Sequence, residues 1–336
     1  MKVLSLFDGM ACGMIAMQFA GMEVESYDAY EIDKYAIKTA QHNFPMIKEH
    51  GDVFEADFTQ YEGVDFLIGG SPCTYWSIAQ TKNRETVASG MGWELFSQYV
   101  RALHEAKPKY FIYENNKSMS KDIRASIDKT FGFEAVLINS ALVSAQNRQR
   151  LYWVGKRNDD GTYSKVMVDQ PEDRGILLRD ILESGIAWHE KSYCITATEY
   201  KGSNPQQTLT KHRRTMVAEP VEPRCVAQCG RCPENPKLRV AGLPTEQMFE
   251  AREDGKTHQV YEVRNGLITI KGKQYPIKLK DGYCIIRKLT VRECMRLQTV
   301  PEWYEFPVSD SQAYKMLGNG WTCEVIAHIL KSLKEA

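Results

Sequence analysis

The tightest constraint on this fold is an alternation. Over the first 155 residues, short apolar stretches take turns with segments of helical spacing. Strands are expected at Lys2–Phe7, Val24–Tyr30, Asp65–Ile68, Tyr110–Tyr113, Phe133–Asn139 and Arg150–Gly155. Helices are expected at Gly13–Ala20, Lys34–Asn43 and Trp93–Ala106, the last two stopped by Pro45 and Pro108. Strand–helix alternation implies an α/β fold with a largely parallel sheet covered on both faces. Ligands gather at the carboxyl ends of such strands, near the point where strand order reverses. Chemistry is therefore expected just after Phe7, Tyr30, Ile68 and Tyr113.

The pattern changes near Asn158. Gly161 to Lys288 is rich in Pro, Gly, Lys and Arg, with strand-like pieces at Leu267–Ile270 and Tyr283–Ile286. A smaller, loop-rich domain over 158–286 is expected to follow a first domain over 1–157. Helical spacing returns at Thr290–Leu297 and Ser311–Leu333, so residues 287–336 are expected to pack back on the first sheet.

Charge sharpens the division. The chain balances 43 Lys+Arg against 43 Asp+Glu. Lys201 to Val300 holds 19 basic and 10 acidic residues, which leaves 24 against 33 elsewhere. A basic segment on an acidic body is what phosphate contact requires, although an unevenly charged solvated surface has the same count. No apolar run approaches ~20 residues, so no membrane span is expected. The N-terminus reads as a strand rather than a signal peptide. Nine scattered cysteines suit a reducing cytosol better than a disulfide framework.

Four motifs carry chemistry. Phe7-Asp8-Gly9-Met10-Ala11-Cys12-Gly13 joins the first strand to a helix, where glycines admit a ligand to the backbone and the helix N-terminus attracts an anionic group. Glu31 closes the second strand, where an acid accepts from ribose hydroxyls. The pair fits a nucleoside cofactor, nicotinamide or S-adenosylmethionine, and also an ordinary strand-to-helix turn. Gly69-Gly70-Ser71-Pro72-Cys73 ends a buried strand; Cys73 there is either a nucleophile activated by nearby positive charge or a buried structural thiol. Glu114 follows the strand Tyr110–Tyr113, where partial desolvation suits a general acid; a surface carboxylate is the plainer reading. In Gln146-Asn147-Arg148-Gln149-Arg150, strand alternation sets Arg148 and Arg150 on one face, fit for a base carbonyl and a phosphate, or simply for solvent.

In this order the four pieces resemble the DNA cytosine-5 methyltransferase family, in its bacterial or phage form. Arg287 to Gln298 resembles its ninth motif and Leu317-Gly318-Asn319-Gly320 its tenth. The framework runs from Val3 to Leu330; about Lys156 to Lys288 matches no motif. The chain departs from the family in three places. The first motif ends Met10-Ala11-Cys12-Gly13, Asn116 stands where Glu-Asn is usually followed by Val, and Gly320-Trp321 replaces Ser or Ala and then Val.

The resemblance implies a Rossmann-like, S-adenosylmethionine-dependent sheet with a smaller target recognition domain. It implies that a cytosine is flipped from duplex DNA, that Cys73 attacks C6, and that Glu114 holds or protonates N3. Arg148 is then expected on O2, with Arg150 beside it or on phosphate. Phe7, Asp8 and Gly9 are expected at the methionine and adenosine region, with Glu31 on ribose and Ile32 on adenine. Asp52 and Val53 are expected at the adenine edge, and Pro72, Asn319 and Trp321 at the pocket wall. DNA contact is expected from Ser77, Gln80, Arg213, Arg214, Lys271 and Lys273. Cys225, Cys229 and Cys232 invite zinc, but a fourth ligand is not evident and the family needs no metal, so none is expected. The implied setting is a monomer in the cytoplasm of a bacterial or phage-infected cell, with a cognate restriction endonuclease as a potential partner. The same chemistry on RNA, a catalytically silent DNA-binding relative and a nicotinamide oxidoreductase are the alternatives.

Overall fold

The computed structural model describes residues 1–78, 84–202, 205–211, 214–221, 238–240, 248–251 and 257–335. Its first part runs β1 (Lys2–Leu6), α1 (Cys12–Phe19), β2 (Ser26–Tyr30), α2 (Lys34–Asn43), β3 (Lys48–Glu49) and β4 (Phe66–Gly69). It continues through α3 (Gly90–Ala106), β5 (Tyr110–Asn116), α4 (Lys121–Phe131), β6 (Val136–Asn139), β7 (Gln149–Arg157) and β8 (Tyr163–Lys165). These strands form one sheet in the order β3-β2-β1-β4-β5-β7-β6, with β8 beside β7. The pairs from β3 to β5 are parallel, as the alternation predicts. Those made by β7 are antiparallel, because it runs against its neighbours β5, β6 and β8.

Strand order reverses at β1, which has β2 on one side and β4 on the other. The switch point at which such sheets hold their ligands therefore lies beyond the carboxyl ends of β1 and β4, where Leu6 is in register with Gly69 and Gly69 with Tyr113. Gly69 cannot be larger: a Cβ there would lie 2.6 Å from Leu6 O and 3.2 Å from the Tyr99 ring.

Two apolar layers cover the sheet. On one face α1 packs on α9 (Cys323–Glu335), uniting Met14, Ile15 and Met17 with Ile326, Ile329 and Leu330 in one buried cluster. The other layer is aromatic, with Phe96 and Tyr99 of α3 and Phe131 of α4 meeting Phe111, Tyr113 and Trp153 of the sheet. Each such side chain contributes about 1.5–3 kcal/mol when fully buried. Helix α4 adds to the helices expected from apolar spacing. Ser120 caps it by accepting from Ile123 N, Ile123, Ile127 and Phe131 are its buried residues, and Gly132 ends it at φ 81°.

The rest of the chain comprises α5 (Leu178–Ile181), α6 (Pro205–Lys211), β9 (Met216–Val221), β10 (Leu238–Val240), β11 (Met248–Ala251) and β12 (Thr257–Arg264). It ends with β13 (Leu267–Ile270), β14 (Lys273–Pro276), β15 (Gly282–Lys288), α7 (Val291–Leu297), α8 (Asp310–Asn319) and α9. Strands β9 to β15 form a second, wholly antiparallel sheet, so the segment expected to be loop-rich carries regular structure. The first sheet continues past position 157 through β8, and Val166, Val168, Leu178 and Ile181 join the cluster around α1 and α9.

One expected element is divided. The helical spacing from Ser311 to Leu333 is split into α8 and α9 by Gly320, which is extended at φ −65° and ψ 169°. The Gly320 carbonyl turns out to accept from Arg148 Nη2 at 2.7 Å and Gln298 Nε2 at 2.9 Å, which an uninterrupted helix would not allow. Among the described residues, no helix is long and apolar enough to cross a membrane.

Candidate active site

The turn after β4 presents Cys73. Ser71 Oγ lies 2.6 Å from Tyr113 OH, and Asn115 Nδ2 donates to Ser71 O at 3.1 Å, which ties the turn to β5. Cys73 then opens a short 3-10 turn whose carbonyl accepts from Trp76 N and Ser77 N. Trp76 is fully buried and donates to Glu85 Oε2 at 3.0 Å, so the segment after Cys73 is anchored at its base. Gly70 is pressed on the acid. A Cβ at that position would lie 2.8 Å from Glu114 O and 2.9 Å from Glu114 Oε2.

Glu114 lies within β5 rather than beyond it, opposite Tyr152 of β7. It is 9% exposed, and each carboxylate oxygen has a partner: Arg150 Nε at 3.0 Å from Oε1 and Trp321 Nε1 at 2.9 Å from Oε2. The departure at Asn116 is accommodated by polar contacts, since its Nδ2 donates to Asn115 Oδ1 and its Oδ1 accepts from Ser118 Oγ.

The two arginines separate in role. Arg150 pairs with Glu114 and reaches Cys194 Sγ through Nη2 at 3.8 Å. Arg148, 3% exposed, spends its guanidinium on Ile195 O at 3.2 Å, Gly318 O at 3.2 Å, Gly320 O at 2.7 Å and Cys194 Sγ at 3.3 Å. Both face Cys194, so the alternation argument holds, but it is Arg150 that meets the acid. Burial pushes the Cys73 thiol up from its ordinary range; Arg150 opposes this, and Glu114 adds to it. Burial also pushes Cys194 up, but the guanidiniums of Arg148 and Arg150 outweigh it and hold that thiol low.

A buried polar cluster adjoins Arg148. Gln146 Oε1 accepts from Ile195 N at 2.9 Å, and its Nε2 donates to Leu297 O at 3.0 Å. Gln298 Nε2 donates to Leu317 O and Gly320 O, while its Oε1 accepts from Thr322 Oγ1. Gln146, Gln298, Asn115 and Cys194 were not marked as site residues by their sequence. A glutamine in a polar loop gives no sign that it will be buried, and Cys194 belongs to no reactive spacing.

The second half of the site is the loop after β1. Phe7 and Gly9 have φ of 58° and 63°, and the N–H groups of Phe7 and Asp8 both donate to Tyr30 O. Glu31 organises the loop: Oε2 accepts from Gly9 N at 2.9 Å, and Oε1 from Ile32 N and Asp33 N at 2.8 Å each. Asp8 Oδ1 accepts from Tyr27 OH at 2.6 Å, but Oδ2 is buried without a partner, and burial pushes this acid up to about 6. Glu49 has both oxygens buried without partners and is pushed up to about 8 by burial, with Asp8 and Glu31 adding to it. Glu49 is another residue that the sequence did not single out. The Ile32 side chain is 72% exposed beside this loop, whereas Val53 is buried and Asp52 caps Phe54 N. Pro72 and Asn319 are exposed, and Trp321 is half-buried.

The expected DNA contacts are scattered. Arg214 Nη2 donates to Thr198 Oγ1 at 2.9 Å and Nη1 donates to Gly202 O, just past Cys194 and Ile195. Lys271 and Lys273 are exposed at the β13–β14 hairpin. Ser77 is half-buried at the end of the Cys73 turn. Gln80, Arg213, Cys225, Cys229 and Cys232 lie outside the described residues. Among the described residues, no group of His, Cys, Asp and Glu is arranged to hold a metal.

The chain is similar to known proteins over nearly its whole length. The chain is 29% identical to the type II methyltransferase M1.ScrFI of Lactococcus lactis subsp. cremoris, over 99% of this chain and 78% of that one. It is 27% identical to M.NlaX of Neisseria lactamica, over 100% and 96%. Its fold is similar to that of a Spodoptera frugiperda DNMT2 variant, with a TM-score of 0.60 at 17% identity over 99% of both chains. The S. pombe Dnmt2 methyltransferase is similar at a TM-score of 0.57 and 15% identity, over 99% and 98%. The profile of the C-5 cytosine-specific DNA methylases matches residues 1–335, and the chain belongs to that family of DNA-methylating enzymes.

Proposed function

We propose that this enzyme methylates C5 of a cytosine flipped out of duplex DNA, through a covalent bond from Cys73 to C6. The observation that carries the reading is the Glu114–Arg150 ion pair at 3.0 Å, set against the turn that bears Cys73. Inside the duplex the ring atoms are stacked and out of reach, so the base must leave the stack. As the base enters, Glu114 takes up a proton from water and passes it to the N3 edge, while Arg150 exchanges its contact with Glu114 for one with O2. With N3 protonated, the ring accepts the Cys73 sulfur at C6 as the thiol proton passes to water, and C5 becomes an enamine-like carbon. C5 then takes the methyl group as its bond to the cofactor's sulfonium sulfur breaks and leaves a neutral thioether. The C5 proton passes to water, the N3 proton returns to Glu114, and the bond to Cys73 breaks. The geometry favours Arg150 over Arg148 on O2, because Arg148 is committed to backbone carbonyls. Arg148 braces Cys194 and the turn at Gly320.

The residues around the first loop fit S-adenosylmethionine. The partnerless oxygen of Asp8 suits a positively charged ligand, and the exposed face of Ile32 suits a planar ring. On this reading Phe7, Asp8 and Gly9 line the methionine side, Glu31 holds ribose, and Asp52 and Val53 flank adenine. Pro72, Asn319 and the ring of Trp321 close the wall. When bound, the cofactor supplies a methyl group on a sulfonium.

The test is to map 5-methylcytosine in DNA from cells expressing the wild type and Cys73→Ala, with purified duplex DNA and tRNA assayed side by side. Methylated duplex DNA from the wild type and none from Cys73→Ala is expected. Full methylation by Cys73→Ala removes the nucleophile, and methylation of tRNA alone moves the substrate to RNA.

A further inference from the structure

A carboxylate that meets a base edge must be held in one plane. Two groups do this for Glu114: an ion pair with Arg150, whose Nε lies 3.0 Å from Oε1, and a hydrogen bond from Trp321 Nε1 to Oε2 at 2.9 Å. We propose that Trp321 is a positioning residue for Glu114, so that the turn between α8 and α9 sets the geometry of cytosine activation. The proposal rests on Glu114 acting on the base.

An indole N–H only donates, so it does not compete with Glu114 for the proton that the base receives. Its bond to a carboxylate is charge-assisted and directional. The backbone on either side of Trp321 is held in place. Gly320 O accepts from Arg148 and Gln298, and Thr322 Oγ1 donates to Gln298 Oε1 at 2.9 Å and lies 2.8 Å from Ser140 Oγ. Gly320 leaves little slack, since a Cβ there would lie 3.1 Å from both Cys12 Sγ and Met316 O. The indole thus reaches Glu114 from a turn braced by the segments around Ser140, Arg148 and Gln298. A pocket wall needs only the face of an aromatic ring. The contact with Glu114 uses the N–H, a separate feature of the side chain.

Trp321→Phe separates these two uses because it retains a ring and loses the donor. S-adenosylmethionine affinity is expected to be unchanged while kcat on duplex DNA falls about 10- to 100-fold, the range for a hydrogen bond to a charged group. A second assay omits the cofactor and follows tritium released from DNA cytosine labelled at C5. There the bond from Cys73 to C6 leaves C5 to take a solvent proton, and the tritium departs as Cys73 does. Release is expected to fall by the same factor. Wild-type kcat and release in Trp321→Phe overturn the proposal, and so does lost cofactor affinity with normal release.

In a Glu114→Ala background, Trp321→Phe is expected to have no further effect, and losses that multiply overturn the proposal. Glu114→Ala at the wild-type rate would instead remove Glu114 from the mechanism, a separate result. Should Trp321→Phe fail to fold, NMR of the isotope-labelled indole decides the matter. Its N–H signal is expected to move in Glu114→Ala, and an unmoved signal overturns the proposal.

Discussion

Arg287 and Arg150 are buried almost alike, with side chains 16% and 15% exposed, and yet they belong to different kinds of site. Arg287 joins the second sheet to α7. Its Nε donates to Glu219 at 2.6 Å, its two Nη atoms embrace Glu293 at 2.8 Å each, and the carbonyls of Ser184 and Lys288 take further donors. Glu293 is fully buried and also completes the capping box of α7 with Thr290. Arg150 meets Glu114 through Nε alone; its other contacts are the adjacent Gln149 carbonyl and a long approach to Cys194. Saturation of the donors, rather than burial, distinguishes the joint at Arg287 from the pair proposed to act on the base. A guanidinium with every donor matched has nothing to offer a substrate, whereas one with loosely held donors can exchange them for a base.

The comparison can be broken at either pair. Glu114→Gln is expected to slow methyl transfer by about two to four orders of magnitude with little change in melting temperature, the range for general acid–base help. A variant that melts early but turns over normally would reverse the assignment. Arg287→Ala leaves the buried Glu293 unpaired and is expected to cost about 3–5 kcal/mol of stability by denaturant titration. The folded fraction is expected to keep its kcat, and a specific loss of rate would show that the junction also serves the chemistry.

A third probe concerns Asp8. Its carboxyl is pushed up to about 6 in the fold from an ordinary value of 3.8, mainly by burial. The folded protein therefore holds this proton more tightly than the unfolded chain does. The resulting stability is complete below about pH 4 and is lost as pH rises through about 6. Asp8→Asn is expected to remove this slope and to stabilise the cofactor-free protein at pH 8 by up to about 3 kcal/mol. Melting temperatures from pH 4 to 8 measure it, and curves that stay parallel between pH 4 and 6 would refute it. The smallest effect is expected for Thr290→Ala at the junction, about 1 kcal/mol for a lost N-cap, with unchanged kcat. A change in rate there would blur the contrast between joint and pocket.

Much of the architecture was legible in the sequence, for a local reason. Apolar runs of strand length between helical stretches can be buried together only in a covered, mostly parallel sheet. Cys73, Glu114 and the first loop were marked because they follow such runs at carboxyl ends. Helix α4 was less legible: its buried face is the narrow stripe Ile123, Ile127 and Phe131 on an otherwise polar segment. The split between α8 and α9 was hidden, since Gly320-Trp321-Thr322 interrupts the spacing only weakly and its carbonyl partners come from distant segments.

By itself the sequence determined the sheet, the chain order of the reactive motifs and the chemistry of their side chains, because these depend on periodicity and residue type. Tertiary structure alone decided which arginine meets Glu114, that Gln146 and Gln298 are buried in the cluster adjoining Arg148, and that Trp321 reaches the acid. Those outcomes depend on hydrogen-bond partners 19 to 207 positions apart, such as Gln298 and Leu317 or Trp321 and Glu114, and no local pattern of residues specifies where such groups meet.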